Sequence, residues 1–299
     1  MLRDITRNTD DVAAARDTLR HVDADIVALF DFDHDLDSLA LDAFADGLYP
    51  HRFALPPNTG VPSGVDLDGD GREGGPGDAL GWGRFRGAGG MALLSRFPLE
   101  AGSVQDWSAL RWDDLPDARV PMLDGRVFPS QAARDVLPLA SVGIWDVPIR
   151  IGAQTVTLHL SHATPPAFDG PEGRNRLRNA DEIAFWVHRL NGSLAPAIRA
   201  PAVILCLCNA DPARGDANRE QVTALLTHPA IRDPRPTGLH PGLGRDDTAT
   251  GNWPEGPGAL RTDYILPTQD IEVTASGVYW PSQTSAHGIV WMDLRISDA

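Results

Sequence analysis

The residues with chemistry to offer cluster at the ends of apolar runs. The run Val203-Ile204-Leu205-Cys206-Leu207-Cys208 stops abruptly at Asn209-Ala210-Asp211-Pro212. Its length and β-branched content predict a strand buried on both faces. The carboxyl end of such a strand is where α/β proteins usually keep their chemistry. Asp25 to Phe30 is a second run of this kind, and it ends in Asp31-Phe32-Asp33-His34-Asp35-Leu36-Asp37, four acids and a histidine. A third candidate strand, Thr155 to Leu160, ends at Ser161-His162-Ala163-Thr164-Pro165-Pro166. His287 stands just before a fourth, Ile289 to Arg295.

A separate acidic motif lies at Asp66-Leu67-Asp68-Gly69-Asp70-Gly71, followed by Arg72, Glu73 and Asp78. Acids at positions one, three and five with glycine at six match the first half of an EF-hand-type calcium loop. Gly77 occupies the twelfth position, where the bidentate Glu would stand, and no helix pair flanks the motif. A Ca²⁺ site on Asp66, Asp68 and Asp70 within the 66–78 loop is the functional reading, and a solvated acidic turn is the plain one.

Elements able to carry these groups follow from periodicity and turn signals. Thr9 or Asp10 can cap a helix over 11–22 whose stripe is Val12, Ala15, Leu19 and Val22, and a second helix over 38–48 runs on Leu41, Phe44 and Leu48. Residues 56–90 form a long Gly- and Pro-rich loop, a length that is usually functional or partly disordered. Met91 to Phe97 predicts a strand, and 101–140 an irregular excursion holding Trp107 and Trp112. Asp146 to Ile151 and Thr155 to Leu160 flank Gly152-Ala153-Gln154, a hairpin signal. Helices follow over 175–190 and 217–227, then short strands at 263–266, 272–274, 277–279 and 289–295. Without a repeat or a linker, the chain reads as one α+β domain spanning 1–299, with a two-sheet core and long loops at 56–90 and 101–140.

The totals bound the function. The 299 residues are 42% hydrophobic and 22% charged, as in a globular protein. The net charge is −15 and every one of the 26 basic residues is arginine. That balance makes nucleic acid an unlikely non-specific partner, because phosphate contact relies on a basic footprint. Two cysteines one residue apart on an extended strand have Cα atoms ~6.6 Å apart, at the edge of disulfide reach, so Cys206 and Cys208 read as small buried hydrophobes. No run approaches a membrane span, and the amino terminus shows no signal-peptide core, which makes the cytoplasm the default expectation.

The order of the polar strand ends, with Gly89-Gly90-Met91-Ala92-Leu93-Leu94-Ser95-Arg96, His162-Ala-Thr-Pro-Pro and Arg261-Thr262-Asp263-Tyr264 between them, resembles the endonuclease/exonuclease/phosphatase superfamily. The closest likeness is to a bacterial branch carrying an Asn-Thr-Gly…Asp-Leu-Asp-Gly-Asp-Gly loop. The resemblance covers essentially the whole chain. It implies a deoxyribonuclease-I-like fold, a four-layer α/β/β/α sandwich with two packed mixed β-sheets. It also implies phosphoester hydrolysis assisted by Mg²⁺ or Mn²⁺, in which carboxylates hold the ion, an Asp activates water, and histidines and an Asn stabilise the developing charge.

Position by position the match is partial. The family's metal-binding Glu falls on Asp31, and its histidines on His162 and His287. In the Gly-Asp-x-Asn motif, Gly falls on Cys206, the water-activating Asp on Leu207 and Asn on Asn209. In the terminal Ser-Asp-His motif the Asp falls on Ala286, so the resemblance implies that His287 has lost its carboxylate partner. The family's first strand has no counterpart, which would leave one sheet with an exposed edge to be filled by an upstream start, another segment or a partner. The main expectation is a family member that has lost most phosphoesterase activity and serves a binding or assembly role, with a protein partner. Its interface would lie on the long loops with Trp82, Trp107 and Trp112. The alternative is an active metal-dependent phosphodiesterase or phosphatase that uses Asp33, Asp35 or Asp211 as substitute acids and takes a phosphoester substrate.

Overall fold

A computed structural model of the chain describes residues 1–282 and 285–296. Helices α1 (Leu2–Arg7) and α2 (Asp10–Val22) lead into strand β1 (Ile26–Phe32), and α3 (Leu39–Ala45) and β2 (His51–Phe53) follow. Strand β3 (Gly90–Ser95) lies between β1 and β2, antiparallel to both, in a three-stranded sheet. The remaining main elements are β4 (Gln105–Asp106), α4 (Gln131–Val136), β5 (Gly143–Ile151), β6 (Gln154–His162), α5 (Arg174–Asn191), β7 (Ala202–Leu207), α6 (Arg219–Leu226), β8 (Asp263–Pro267), β9 (Ile271–Tyr279) and β10 (Ile289–Ile296). The second sheet has the order β8-β7-β6-β5-β4 and is mixed, because β6 and β7 run parallel. Among the described residues, strands β9 and β10 form a two-stranded ribbon of their own.

Three apolar cores stack these elements into α/β/β/α layers. Between the sheets, Met91 and Leu93 of β3 meet Trp145, Val147, Ile149, Leu158, Leu160, Val203 and Leu205. The opposite faces of β5 to β8 bury Ile144, Ile204, Cys206 and Leu266 against Ile183, Phe185 and Trp186 of α5 and Val222 and Leu225 of α6. The opposite face of the first sheet packs Ala92 and Leu94 on Ile5, Leu19, Leu41 and Phe44 from α1, α2 and α3. Alternation along β3 sends Met91 and Leu93 one way and Ala92 and Leu94 the other, which is why it reads as a continuous apolar run.

Several expectations change. The first sheet is antiparallel throughout, not mixed. The strands predicted at 272–274 and 277–279 are one strand, β9, with a register irregularity between Val273 and Ala275. Helices α1 and α4 were not expected from the sequence. Cys206 and Cys208 form a disulfide with Cα atoms 5.1 Å apart. Cys208 lies past the end of β7, where the chain leaves the extended geometry that would hold the two Cα atoms further apart. Trp112 is fully buried and Trp107 half-buried, its indole N–H donating to Asp146, so of the three tryptophans expected to form an interface only Trp82 is exposed.

A site at the strand ends

Three adjacent strands of the second sheet deliver the central groups. In register, His162 on β6 lies opposite Leu207 on β7, and Leu207 lies opposite Asp263 on β8. Residues paired across a ladder point to the same face, so Leu207 sits between an imidazole and a carboxylate. Leu207 is buried. Asn209 follows two residues on, in the left-handed region at φ 52°, a conformation Asn tolerates better than most residues. Its side-chain amide donates to the Ala163 carbonyl at 2.8 Å.

Helix α5 clamps the two strand ends from below. The Asn179 amide donates both to Thr164 O at 2.7 Å and to Cys208 O at 2.8 Å. Buried Glu182 accepts from the Ser141 amide and hydroxyl and from the Thr164 amide. The loop carrying His162 and the loop carrying Asn209 are thereby held to one rigid helix.

His287 enters from the segment before β10. Its Nδ1 lies 3.0 Å from Asp263 Oδ2, which also accepts from the hydroxyls of Thr250 at 2.6 Å and Thr262 at 2.8 Å. The expectation that His287 lacks a carboxylate partner is therefore overturned: the partner is Asp263, not the position of Ala286. The two residues lie 24 apart in sequence and meet only because β8 and the β10 approach converge. Burial by itself would lower the His287 pKa, but the hydrogen bond and charge of Asp263, with Asp31 adding, hold it above its ordinary value. His162 shifts the other way. Burial keeps it neutral against the pull of Asp31 and Asp263, and nearby His287 adds to that. Its Nδ1 is buried and finds no hydrogen-bond partner among the described residues, so it is not a satisfied core histidine.

Asp31 completes the group from the first sheet. A bulge between Phe30 and Phe32 puts Asp31 at φ 59° and turns its side chain out of the strand, with its carboxylate over Gly89. Asp31 is exposed.

The acids considered as substitutes are engaged elsewhere. Asp35 accepts from the Leu39 and Ala40 amides and caps α3, and Asp33 accepts from Gly89 N at 3.0 Å. Asp211 is buried and accepts from the amides of Ala213, Arg214 and Arg261. Asp35 and Asp211 hold the turns that follow them, and Asp33 ties the end of β1 to the loop before β3.

Away from this site, carboxylate oxygens of Asp66, Asp68 and Asp78 lie within 4.8 Å of one another. Asp70 is not in that group. Its Oδ1 accepts from the Arg72 amide, and Asp78, one residue beyond the expected twelfth position, takes the third place. Arg174 of α5 donates to Leu67 O and ties this loop to the helix that carries Asn179 and Glu182.

The profile of the endonuclease/exonuclease/phosphatase family matches residues 2–298. The chain belongs to the endonuclease/exonuclease/phosphatase family. A search of curated proteins returned no match. Among solved structures, an endonuclease/exonuclease/phosphatase from Beutenbergia cavernae DSM 12333 superposes with a TM-score of 0.56 at 16% identity, over 95% of this chain and 65% of that one. The present chain thus spans just under two thirds of that protein's length. The human Nocturnin catalytic domain with bound sulfate gives 0.54 at 12% identity over 96% and 86%. A mannosyl-6-phosphatase from Bacteroides thetaiotaomicron VPI-5482 gives 0.50 at 14% over 98% and 95%. At these identities the likeness establishes the deoxyribonuclease-I-like fold.

Members of this family generally depend on a divalent metal. A hard cation at the strand-end site would need several oxygen ligands. Among the described residues the strand ends offer the exposed Asp31 and an Asp263 Oδ2 that already serves three donors, with apolar Leu207 in register between His162 and Asp263. That set does not fit the ion.

Proposed function

We propose that this chain binds phosphoesters at the strand-end site but hydrolyses them only residually, and that it works as a binding or assembly member of its family. The observation that carries this reading is Leu207, in register between His162 and Asp263. It puts an apolar side chain where the reaction needs a base for water. What remains suits anion binding. His287, whose pKa the hydrogen bond and charge of Asp263 raise, is biased toward its cationic form, and Asn209 and His162 supply polar edges around it. The carboxylate that the family's reaction uses to activate water is replaced by Leu207, and loss of a general base alone costs a factor of ~10²–10⁴. We further assign Ca²⁺ to Asp66, Asp68 and Asp78, on the strength of the Asp-x-Asp-x-Asp-Gly spacing and the convergence of the three carboxylates.

The test is turnover of a phosphodiester and a phosphomonoester with Mg²⁺, Mn²⁺ and Ca²⁺, together with the variant carrying Leu207→Asp and Ala286→Asp. The wild type should remain near background, and the double variant should gain on the order of 10² in rate. Wild-type turnover at an ordinary enzyme rate, abolished by His287→Ala, would overturn the proposal.

A further inference from the structure

The two cysteines stand on either side of Leu207. Side chains alternate along a strand, so Cys206 points away from the face that Leu207 shares with His162 and Asp263. Cys206 and Cys208 both lie in the apolar core beneath α5. Their disulfide therefore closes on one face of the strand end, while the groups assigned to anion binding stand on the other.

An extended strand keeps alternate Cα atoms ~6.6 Å apart. Those of Cys206 and Cys208 are held at 5.1 Å, and shortening one face curls the chain toward it. The backbone hydrogen bonds record the curl. The amides of Cys208 and Asn209 both donate to the single carbonyl of Thr262, at 2.8 and 3.2 Å, where a regular ladder offers it one. Asn209 then takes φ 52° and turns its side-chain amide onto Ala163 O. The bridge is seated by β6 and α5. Cys206 Sγ accepts from the Ser161 hydroxyl at 3.3 Å, the Ser161 oxygen accepts from the Trp186 indole at 2.9 Å, and Asn179 donates to Cys208 O at 2.8 Å. Both cysteines are buried, so a reductant reaches the sulfurs only when this strand end opens.

We propose that the Cys206–Cys208 disulfide is a redox-dependent positioning device for the strand-end site. Closed, it holds Asn209 for anion binding; opened, it lets the chain straighten and weakens that binding. This regulation rests on the phosphoester-binding reading above. Opening takes a dithiol, whose two thiols pass two electrons and two protons to the bridge. The S–S bond becomes two cysteine thiols, and the reductant leaves as its own disulfide. The distance between the two Cα atoms then relaxes toward the extended value, by up to ~1.5 Å, and Asn209 is drawn off Ala163 O. Linkage makes the effect reciprocal: phosphate that prefers the closed form makes the bridge harder to reduce by the same factor.

The experiment uses the whole chain, with inorganic phosphate as the probe. Protein isolated without reductant and then unfolded should show no free thiol on titration. The Asn209 side-chain amide resonance and the phosphate affinity are then followed in the oxidised, dithiothreitol-reduced and reoxidised protein, and in the variant carrying Cys206→Ala and Cys208→Ala. Reduction should move the Asn209 resonance and lower phosphate affinity at least about fivefold. Saturating phosphate should raise, by that same factor, the ratio of reduced to oxidised dithiothreitol needed for half-reduction. Reoxidation should restore the starting values, and the double variant should match the reduced form. Free thiols in the protein as isolated would overturn the proposal. So would a bridge of purely structural effect, in which reduction lowers the Tm but leaves the Asn209 resonance and the affinity unchanged. If phosphate binds neither form while reduction still moves the Asn209 resonance, the phosphoester reading falls and the positioning of Asn209 by the disulfide is supported.

Discussion

On the proposed reading Leu207 stands where the family's chemistry needs a carboxylate, and that exchange has a physical direction. A carboxylate there would be buried between His162 and Asp263, whereas leucine packs. The variant Leu207→Asp should therefore lose about 2–4 kcal/mol of stability at neutral pH while gaining turnover, a trade that urea titration and a rate assay measure together. The neighbouring pair gives a pH prediction. The His287 pKa is raised above its ordinary 6.5. Its contribution to stability is then fully present below 6.5 and fades as pH rises through the raised folded value. Asp263→Asn removes the negative partner, so the His287 resonance should titrate at lower pH and phosphate affinity at neutral pH should fall severalfold. Asp263 also pulls the His162 pKa upward against burial, so the same variant should move the His162 titration further down, and the two ring resonances are followed separately. An unchanged His287 titration in Asp263→Asn would contradict the pairing.

At the scale of elements, α5 fixes the geometry of the site. Asn179 is fully buried and joins the ends of β6 and β7 through two carbonyls. Asn179→Ala leaves both carbonyls without a protein donor and opens a small void, so it should cost about 2–4 kcal/mol, read as a lower urea midpoint at unchanged slope. The resonances of His162 and Asn209 should move together in that variant, because one side chain holds both loops. Helix α5 itself was visible in the sequence from the 3.6-residue repeat of Ile183, Trp186, Val187 and Leu190, and the β5–β6 hairpin from its Gly-Ala-Gln turn. The partner of His287 was not visible. Asp263 and His287 each look ordinary in their own segment, and their pairing depends on the register of β7 with β8 and on Thr250, which arrives from yet another loop. Asp78 escaped for a related reason, since a motif counted from Asp66 expects its last ligand one residue earlier. Trp112 escaped because its segment lacks periodicity, although its indole lies in the α5 core and donates to Asp181 at 2.6 Å.

The whole molecule sets a last constraint on anything anionic that reaches the site. With 41 acids against 26 arginines, the long-range field repels phosphate while the local groups around His287 attract it. The two effects act over different distances. At ~0.01 M ionic strength the Debye length is about 30 Å and the net charge dominates the approach. At ~0.1 M it is about 10 Å, and the repulsion is screened while the short contacts to His287 and Asn209 are largely kept. Raising salt over that range should therefore increase the association rate of a small phosphoester, measured by stopped-flow or by NMR exchange. A protein with a basic phosphate footprint behaves in the opposite way, because counterion release makes affinity fall steeply with salt. A steep decrease with salt here would reveal a local arginine field strong enough to outweigh the net charge. The polyanion reading set aside on composition would then return, with the exposed loop of Trp82, Arg84, Phe85 and Arg86 as the first place to look.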